Sequence, residues 1–281
     1  MYVRPVTRAL GELVARGTRS SVHAYGVGAV AKVPVAATPA GWIVAEAQYA
    51  DAARLAGAPV PRLLGVEEIG GRSASIWERV GGDSLWQQVV DRPARASALG
   101  RMLADVQRDL FSLVPPVTLP RQRDRLVSKI RRTAATVDAS LGRALELVPP
   151  DDGSSRLCHG DLHPSNVLLS QDGPMIVDWF DASRGDPVAD IARSSLTLLG
   201  DGTHPPPHLP GADPGALTTL TDAYLDRLDE HLGLDRGLLA RWQAVSAVAR
   251  IAEGVPSAPL REVWRRFVLA LDAPPPQAAV S

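Results

Sequence analysis

Apolar residues near the start of the chain fall in short runs broken by glycine and small polar residues, a pattern of strands and tight turns. Residues 10–33, LGELVARGTRSSVHAYGVGAVAKV, predict a three-strand meander, with strands over Val22–Tyr25 and Ala29–Val33. Gly41–Leu55 takes up a helical period, and the Gly57–Pro61 segment stops it, as proline cannot continue a helix. Arg62–Glu67 and Ala74–Arg79 predict two further strands around Gly70-Gly71. From Ser84 the apolar spacing becomes three to four residues. It predicts helices over Ser84–Val90, Ala94–Leu110 and Arg123–Leu147, with proline-rich breaks at 114–120 and 148–150. Later helices are expected from Ile191–Leu199, Leu217–Leu232 and Arg236–Asp272, the last two separated from the first by a Pro/Gly/His loop over 200–214. Trp242 and Trp264 are expected to pack, and Ala273–Ser281, with its three prolines, to be a disordered tail.

One stretch carries most of the chemistry. Leu157–Asp190 holds His159-Gly160-Asp161, then Asn166, then Asp178. Two apolar runs, Val167–Leu169 and Met175–Val177, flank Ser170-Gln171-Asp172-Gly173, and Asp-Gly between such runs predicts a hairpin. A hairpin brings its ends together, so Asp161 and Asn166 on the entry loop meet Asp178 at the exit. A carboxylate, an amide oxygen and a second carboxylate at one place suit Mg²⁺, which is held by few carboxylates plus substrate phosphates. Asp161 and Asn166 also keep the five-residue offset of the protein-kinase catalytic loop, in which Asp takes the hydroxyl proton and Asn holds a metal.

HGDLHPSNVLL, followed by IVDW and GDPVADIAR, resembles the aminoglycoside phosphotransferase family of small-molecule kinases. The resemblance implies an α+β, two-lobed, protein-kinase-like fold. An antiparallel-sheet N-lobe with one main helix would span 1–80, a mostly helical C-lobe 81–273, and a tail 274–281. It implies Asp161 as catalytic base, Asn166 and Asp178 as Mg²⁺ ligands, and ATP or GTP as co-substrate. Asp186 and Asp190 would be structural, as would His159 and His163 beside the site. Lys32, one of only two lysines, ends a V-A-x-K-like strand and is expected on the nucleotide phosphates, with Glu46 of the first helix holding it. The turn at Ser20 and Ser21 would offer backbone N–H groups to phosphate, although it lacks a full G-x-G-x-x-G. Residues 75–82 resemble the interlobe hinge, which places adenine contacts at the backbone of Glu78 and Val80; Trp77 closes the adenine pocket or packs in the core. Gln107 stands where this family often carries His.

Composition narrows the classes. A net charge of −1 argues against a general nucleic-acid or membrane-surface binder, and no apolar run approaches the length of a membrane span. MYVRPVTRALGEL lacks an apolar signal core and Cys158 is the single cysteine, which together predict a cytoplasmic protein without an obligate protein partner. Beside His159, Cys158 could be a nucleophile, but a small residue ending a buried strand is the plainer account. Nine acidic residues against two arginines across 186–235 could receive a polycation, so Asp181, Asp222 and Asp226 are candidate acceptor contacts; a solvated face explains the same stripe. The basic run 121–132 reads as a solvated helix face. The expected acceptor is the hydroxyl of an aminoglycoside or other basic antibiotic, with a metabolite of the choline, homoserine or sugar-amine type as the alternative. Two other readings are a catalytically silent nucleotide-binding module and a metal-dependent hydrolase using His159-x-Asp161-x-His163 with His204 and His208. The second leaves Asn166 and Lys32 unexplained.

Overall fold

The computed structural model describes residues 4–5, 9–39, 41–150, 153, 155–199, 209–254 and 257–272. The predicted meander forms as β2 (Leu13–Arg16), β3 (Ser20–Ala24) and β4 (Ala29–Pro34). With β1 (Arg4–Pro5), β5 (Leu63–Ile69) and β6 (Arg72–Glu78) it makes a six-stranded sheet of order β1-β5-β6-β4-β3-β2. All neighbouring pairs are antiparallel except β1 with β5. Helix α1 (Trp42–Leu55) is the main helix of this half and buries Trp42, Ile43, Glu46, Ala47, Ala50 and Ala53. The sheet's own core is thin: Tyr25, Ala29, Ala31 and Ile76. Such a small cluster cannot hold a lobe alone, and the polar contacts described below matter accordingly.

Among the described residues the remainder is helical apart from two short pairs of strands, β7 with β10 and β8 with β9: α2 (Leu85–Asp91), α3 (Ala96–Phe111), α4 (Gln122–Thr136), β7 (Arg156–Cys158), β8 (Val167–Ser170), β9 (Gly173–Ile176), β10 (Ser183–Gly185), α5 (Pro187–Leu199), α6 (Pro214–Leu232), α7 (Arg236–Ile251) and α8 (Ser257–Asp272). The α+β, two-lobed architecture expected from the sequence is therefore the one observed. Helix α2 starts where Ser84 accepts the Gln87 N–H at 3.1 Å, and α6 where Asp213 accepts the Ala216 N–H at 2.9 Å. The predicted apolar face of α6 is buried at Leu217, Leu220, Tyr224 and Leu228, whereas Leu232 at the helix end is 42% exposed.

One helix was predicted too long. Arg123–Leu147 is α4 plus a separate 3₁₀ segment over Ala139–Leu147. The β-branched pair Thr136-Val137 closes the first helix. Asp138 then turns extended and caps the second, accepting the Ser140 N–H at 3.0 Å and hydroxyl at 2.7 Å. His204, His208, most of the 200–214 loop and the 273–281 tail lie outside the described residues.

Helices α3 and α6 cross at Gly100. A Cβ built there would lie 2.2 Å from the Leu220 carbonyl oxygen, backbone that cannot swing aside. Overpacking of this kind costs about 1–3 kcal/mol. Gly100→Ala should lower the unfolding free energy by that amount, read as a lower urea midpoint at an unchanged slope; a stability equal to the parent's would show that the helices can part without cost.

Candidate active site

The hairpin forms as predicted, in the register Val167↔Ile176, Leu168↔Met175, Leu169↔Pro174 and Ser170↔Gly173. One more bond, from the Val177 N–H to the Asn166 carbonyl at 3.0 Å, carries the ladder down to its open end. Asp178 follows directly. It is the only described non-glycine residue with positive φ, at 65°. That left-handed backbone is one Asp tolerates better than bulkier residues, and it turns the carboxylate out of the strand direction.

The loop before the hairpin is held from beneath. Asp190, buried on α5, accepts the N–H of Gly160 at 2.7 Å, the N–H of His159 at 3.2 Å and the Gln107 amide at 2.9 Å. Burial raises its pKa, and those donors oppose the shift. The Gln107 side-chain oxygen in turn takes the Tyr224 hydroxyl, so the residue in the family's usual His place still links α3, α5 and α6. His159 accepts the Asp161 N–H on Nδ1 at 3.2 Å and faces the Val177 carbonyl with Nε2 at 3.1 Å. This pattern puts its proton on Nε2, and burial lowers its pKa, so the ring is neutral. Gly160 has φ +79°, and a Cβ there would meet the Asp181 carbonyl oxygen at 2.2 Å. No other residue fits between His159 and Asp161. Asp186 accepts the Val188 N–H at 2.7 Å and the Trp242 indole at 2.9 Å, an anchoring part in the fold.

Three distant segments meet at Lys32. Its ammonium lies 2.5 Å from Glu46 of α1 and 3.2 Å from Asp178. Burial works against the charged lysine, but the Asp178 and Glu46 carboxylates outweigh it and raise its pKa. Burial likewise pushes the Glu46 carboxyl up, against the pull of Lys32. Glu46 is 2% exposed, whereas the Asp178 side chain is 45% exposed, so Asp178 is the member of the trio that faces the cleft.

The donor set fits a hard divalent cation. The Asn166 amide nitrogen is committed to the Asp161 carbonyl at 3.0 Å, which turns its oxygen to the other side. An amide oxygen and a half-exposed carboxylate then stand at the two ends of one hairpin. Such oxygen donors suit Mg²⁺ completed by phosphates and water. Among the described residues no group of three or more His, Cys, Asp and Glu could hold a metal by itself. His159 in particular spends both ring nitrogens on backbone.

Asp161 sits in a cluster of charges. Arg193 of α5 contacts Asp161 and Asp181, each at 3.4 Å, and Glu253 at 2.9 Å. Lys129 of α4 bridges Asp181 at 2.8 Å and Glu253 at 2.6 Å, and Arg125 reaches Asp181 at 3.3 Å. Burial alone would raise the Asp161 pKa; Arg193, with His163 and Arg250 behind it, overrides this and holds the carboxyl well below the usual range. The group is thus an ionised acceptor at neutral pH, oriented by fixed cations.

Arg193, Lys129, Arg125, Arg250 and Glu253 are absent from the sequence-based site. For α4 a signal existed. Gln122, Arg125, Leu126, Lys129, Ile130 and Thr133 share the inward face, while Arg123, Arg131 and Arg132 are exposed. The basic run is therefore divided between two faces, and Arg125 and Lys129 of it belong to the site.

The remaining predicted residues are spread more widely. Ser20 is buried at the start of β3, where its carbonyl takes the Gly17 N–H, and Ser21 bonds His23 at 3.0 Å. Glu78 gives its N–H to the Arg62 carbonyl at 3.0 Å and its carboxylate to the Arg62 N–H at 2.8 Å; no described residue bonds the Val80 N–H. Trp77 bonds Ser75 through its indole at 2.8 Å and packs against the main core. Asp181 is near the base, but its carboxylate is already held by three cations. Asp222 and Asp226 line a separate surface depression with Ser97, Arg101 and Glu230, and none of these touches the Asp161 cluster. Cys158 is buried and its pKa is raised by that burial, so it is a packed thiol with no thiolate character.

Comparison with known proteins agrees with this geometry. No curated protein matches the sequence. Among solved structures, aminoglycoside phosphotransferase APH(4)-Ia, in a complex with ADP and hygromycin B, has a TM-score of 0.65 at 17% identity, covering 95% of this chain and 96% of that one. The enzyme APH(3'')-Id from Streptomyces rimosus has a TM-score of 0.59 at 21% identity, over 85% and 92% of the two chains. An aminoglycoside-3'-phosphotransferase of type VIII gives 0.59 at 20%, over 86% and 93%. Residues 21–205 match the phosphotransferase enzyme family, APH, a span that holds the lysine strand, α1, the catalytic loop and the hairpin. The chain belongs to that family of small-molecule kinases.

Proposed function

We propose that the protein transfers the γ-phosphoryl group of a magnesium-bound nucleoside triphosphate, ATP or GTP, to a hydroxyl of a small molecule. The observation that carries this is Lys32, which comes from the sheet to within 3.2 Å of Asp178, 146 residues later in the chain. The contact joins a phosphate-binding lysine to a metal-type carboxylate beside Asp161. A solved relative in fold contains ADP, which supports a nucleotide co-substrate here.

In this reading Lys32 binds the nucleotide phosphates, and Glu46 keeps its ammonium charged and aimed. Asn166 and Asp178 would hold Mg²⁺, which would supply neutralisation of the charge on the nucleotide phosphates. Asp161 accepts the proton of the acceptor hydroxyl as the new P–O bond forms and the bond to the leaving diphosphate breaks. Arg193 and His163 keep Asp161 ionised for that role. Positioning and charge neutralisation supply most of the rate. The full set of base, metal donors and lysine favours an enzyme over a silent nucleotide-binding module. On the acceptor, enzymes of like fold solved with hygromycin B and with streptomycin support a basic antibiotic. A metabolite is the second class, and the charges beside Asp161 bear on the choice.

Asp161→Asn removes the base without changing its shape. It should lower kcat by about 10²–10⁴-fold while Mg²⁺-nucleotide affinity stays the same, as read by nucleoside diphosphate release and by calorimetry. Parental turnover in that variant would remove Asp161 from the mechanism. Asp178→Ala should instead abolish the Mg²⁺ dependence of nucleotide binding; binding that still strengthens with Mg²⁺ would place the metal elsewhere.

A further inference from the structure

The phosphotransferase reading leaves the acceptor open, and the wall of the cleft beside Asp161 narrows it. Gln122, Arg125, Lys129, Gly160, Asp181 and Arg193 line a small recess there, of about 30 Å³, open on one side to solvent. Four cations, Arg125, Lys129, Arg193 and Arg250, face three carboxylates, Asp161, Asp181 and Glu253. The acids a polycation would need are already answered from within the protein.

The spare charge is localised. Arg193 spends its guanidinium on three carboxylates, and Lys129 is shared between two. Arg125 makes a single 3.3 Å hydrogen bond, to Asp181, with one of its five donors. Its guanidinium carbon sits 5.3 Å from the centre of the Tyr49 ring of α1 and 5.5 Å from that of the Phe180 ring, cation–π contacts that hold the fork without using its N–H groups. No other hydrogen bond joins this guanidinium to the described residues. A planar, held and under-used guanidinium at a cleft is a receptor for a carboxylate or phosphate, groups it binds through paired N–H donors.

Resting on the kinase reading, we propose that the acceptor carries an anionic group besides its reacting hydroxyl, and that Arg125 reads that group. It is a hydroxy acid or a phosphorylated polyol in chemical class, and not a polycationic aminoglycoside. Lys129 adds charge beside the fork. Arg125 is a specificity residue, set apart from the base and the metal donors.

The test uses the full chain and four probes: glycerate and glycerol 3-phosphate as anions, glycerol as the neutral parent, and kanamycin as a polycation. Binding is measured by calorimetry in the presence of Mg²⁺-ADP, whose own affinity is the internal control. Either anion should bind about ten- to a hundredfold more tightly than glycerol, and more tightly than kanamycin. Arg125→Gln should erase that advantage, and Arg125→Lys should restore part of it. Kanamycin as the strongest binder, equal binding of glycerol and the anions, or an anion preference unchanged in Arg125→Gln would each overturn the proposal and leave the kinase reading intact. Loss of Mg²⁺-ADP binding in the parent protein would overturn the kinase reading itself. If glycerate is preferred the natural group is a carboxylate, and if glycerol 3-phosphate is preferred it is a phosphate.

Discussion

The fold is organised around a buried ammonium that draws partners from both lobes. Lys32 is 9% exposed, and an isolated charge so placed would be neutralised or expelled. The sheet supplies the lysine, α1 supplies Glu46, and Asp178 comes from the far end of the hairpin in the other lobe. Removing one partner of a buried pair usually costs more than the pair contributes, because it strands the other charge. The thin apolar core of the sheet makes this constraint weightier still, since only four buried apolar residues hold that cluster together. The contact that joins the lobes is also the one proposed to hold the phosphates.

The loop beside that trio depends on a second buried anion. Asp190 gathers two backbone N–H groups and an amide, and so defines the path through His159 and Gly160. Gly160 can take that path only because it lacks a Cβ, and its close approach to the Asp181 carbonyl sets the spacing between the base and the charge cluster. Structure and chemistry share these contacts. The same carboxylate that closes the helix–loop junction fixes where Asp161 points.

Much of this was legible in the sequence because the relevant contacts are local. The five residues from Asp161 to Asn166 and the hairpin to Asp178 form a nearly closed unit, and its register follows from two apolar runs and a turn. Lys32 and Glu46 could be placed because lysine is rare here and a strand followed by a helix leaves few options. What stayed hidden is long-range. Arg193 meets Asp161, and Glu253 meets Arg193, through the packing of α5 against the chain just beyond α7, which no spacing rule encodes. Asp222 and Asp226 recur on a different face of α6 from its apolar residues, but such a stripe gives a face and not its distance from the site. The split of Arg123–Leu147 at Asp138 was locally encoded, since Asp followed by Ser is a capping pattern that the long apolar period obscured.

The charges on the two sides of the catalytic base have opposite surpluses. On the nucleotide side, two carboxylates oppose one ammonium, an excess of negative charge that a divalent cation and its phosphates would share. On the acceptor side, four cations oppose three carboxylates. Asp161 lies between them, ionised because the second group is net positive and close. This polarity has a consequence for the reaction. In the proposed reaction, proton transfer to Asp161 would remove a negative charge next to Arg193 just as the acceptor oxygen gains a phosphoryl group that carries negative charge. The cations that stabilise the ionised base then face the new phosphate ester, so the field that prepares the base also favours the product. An acceptor bringing several positive charges of its own would oppose both effects, whereas one bringing an anion to Arg125 would be held by the same field.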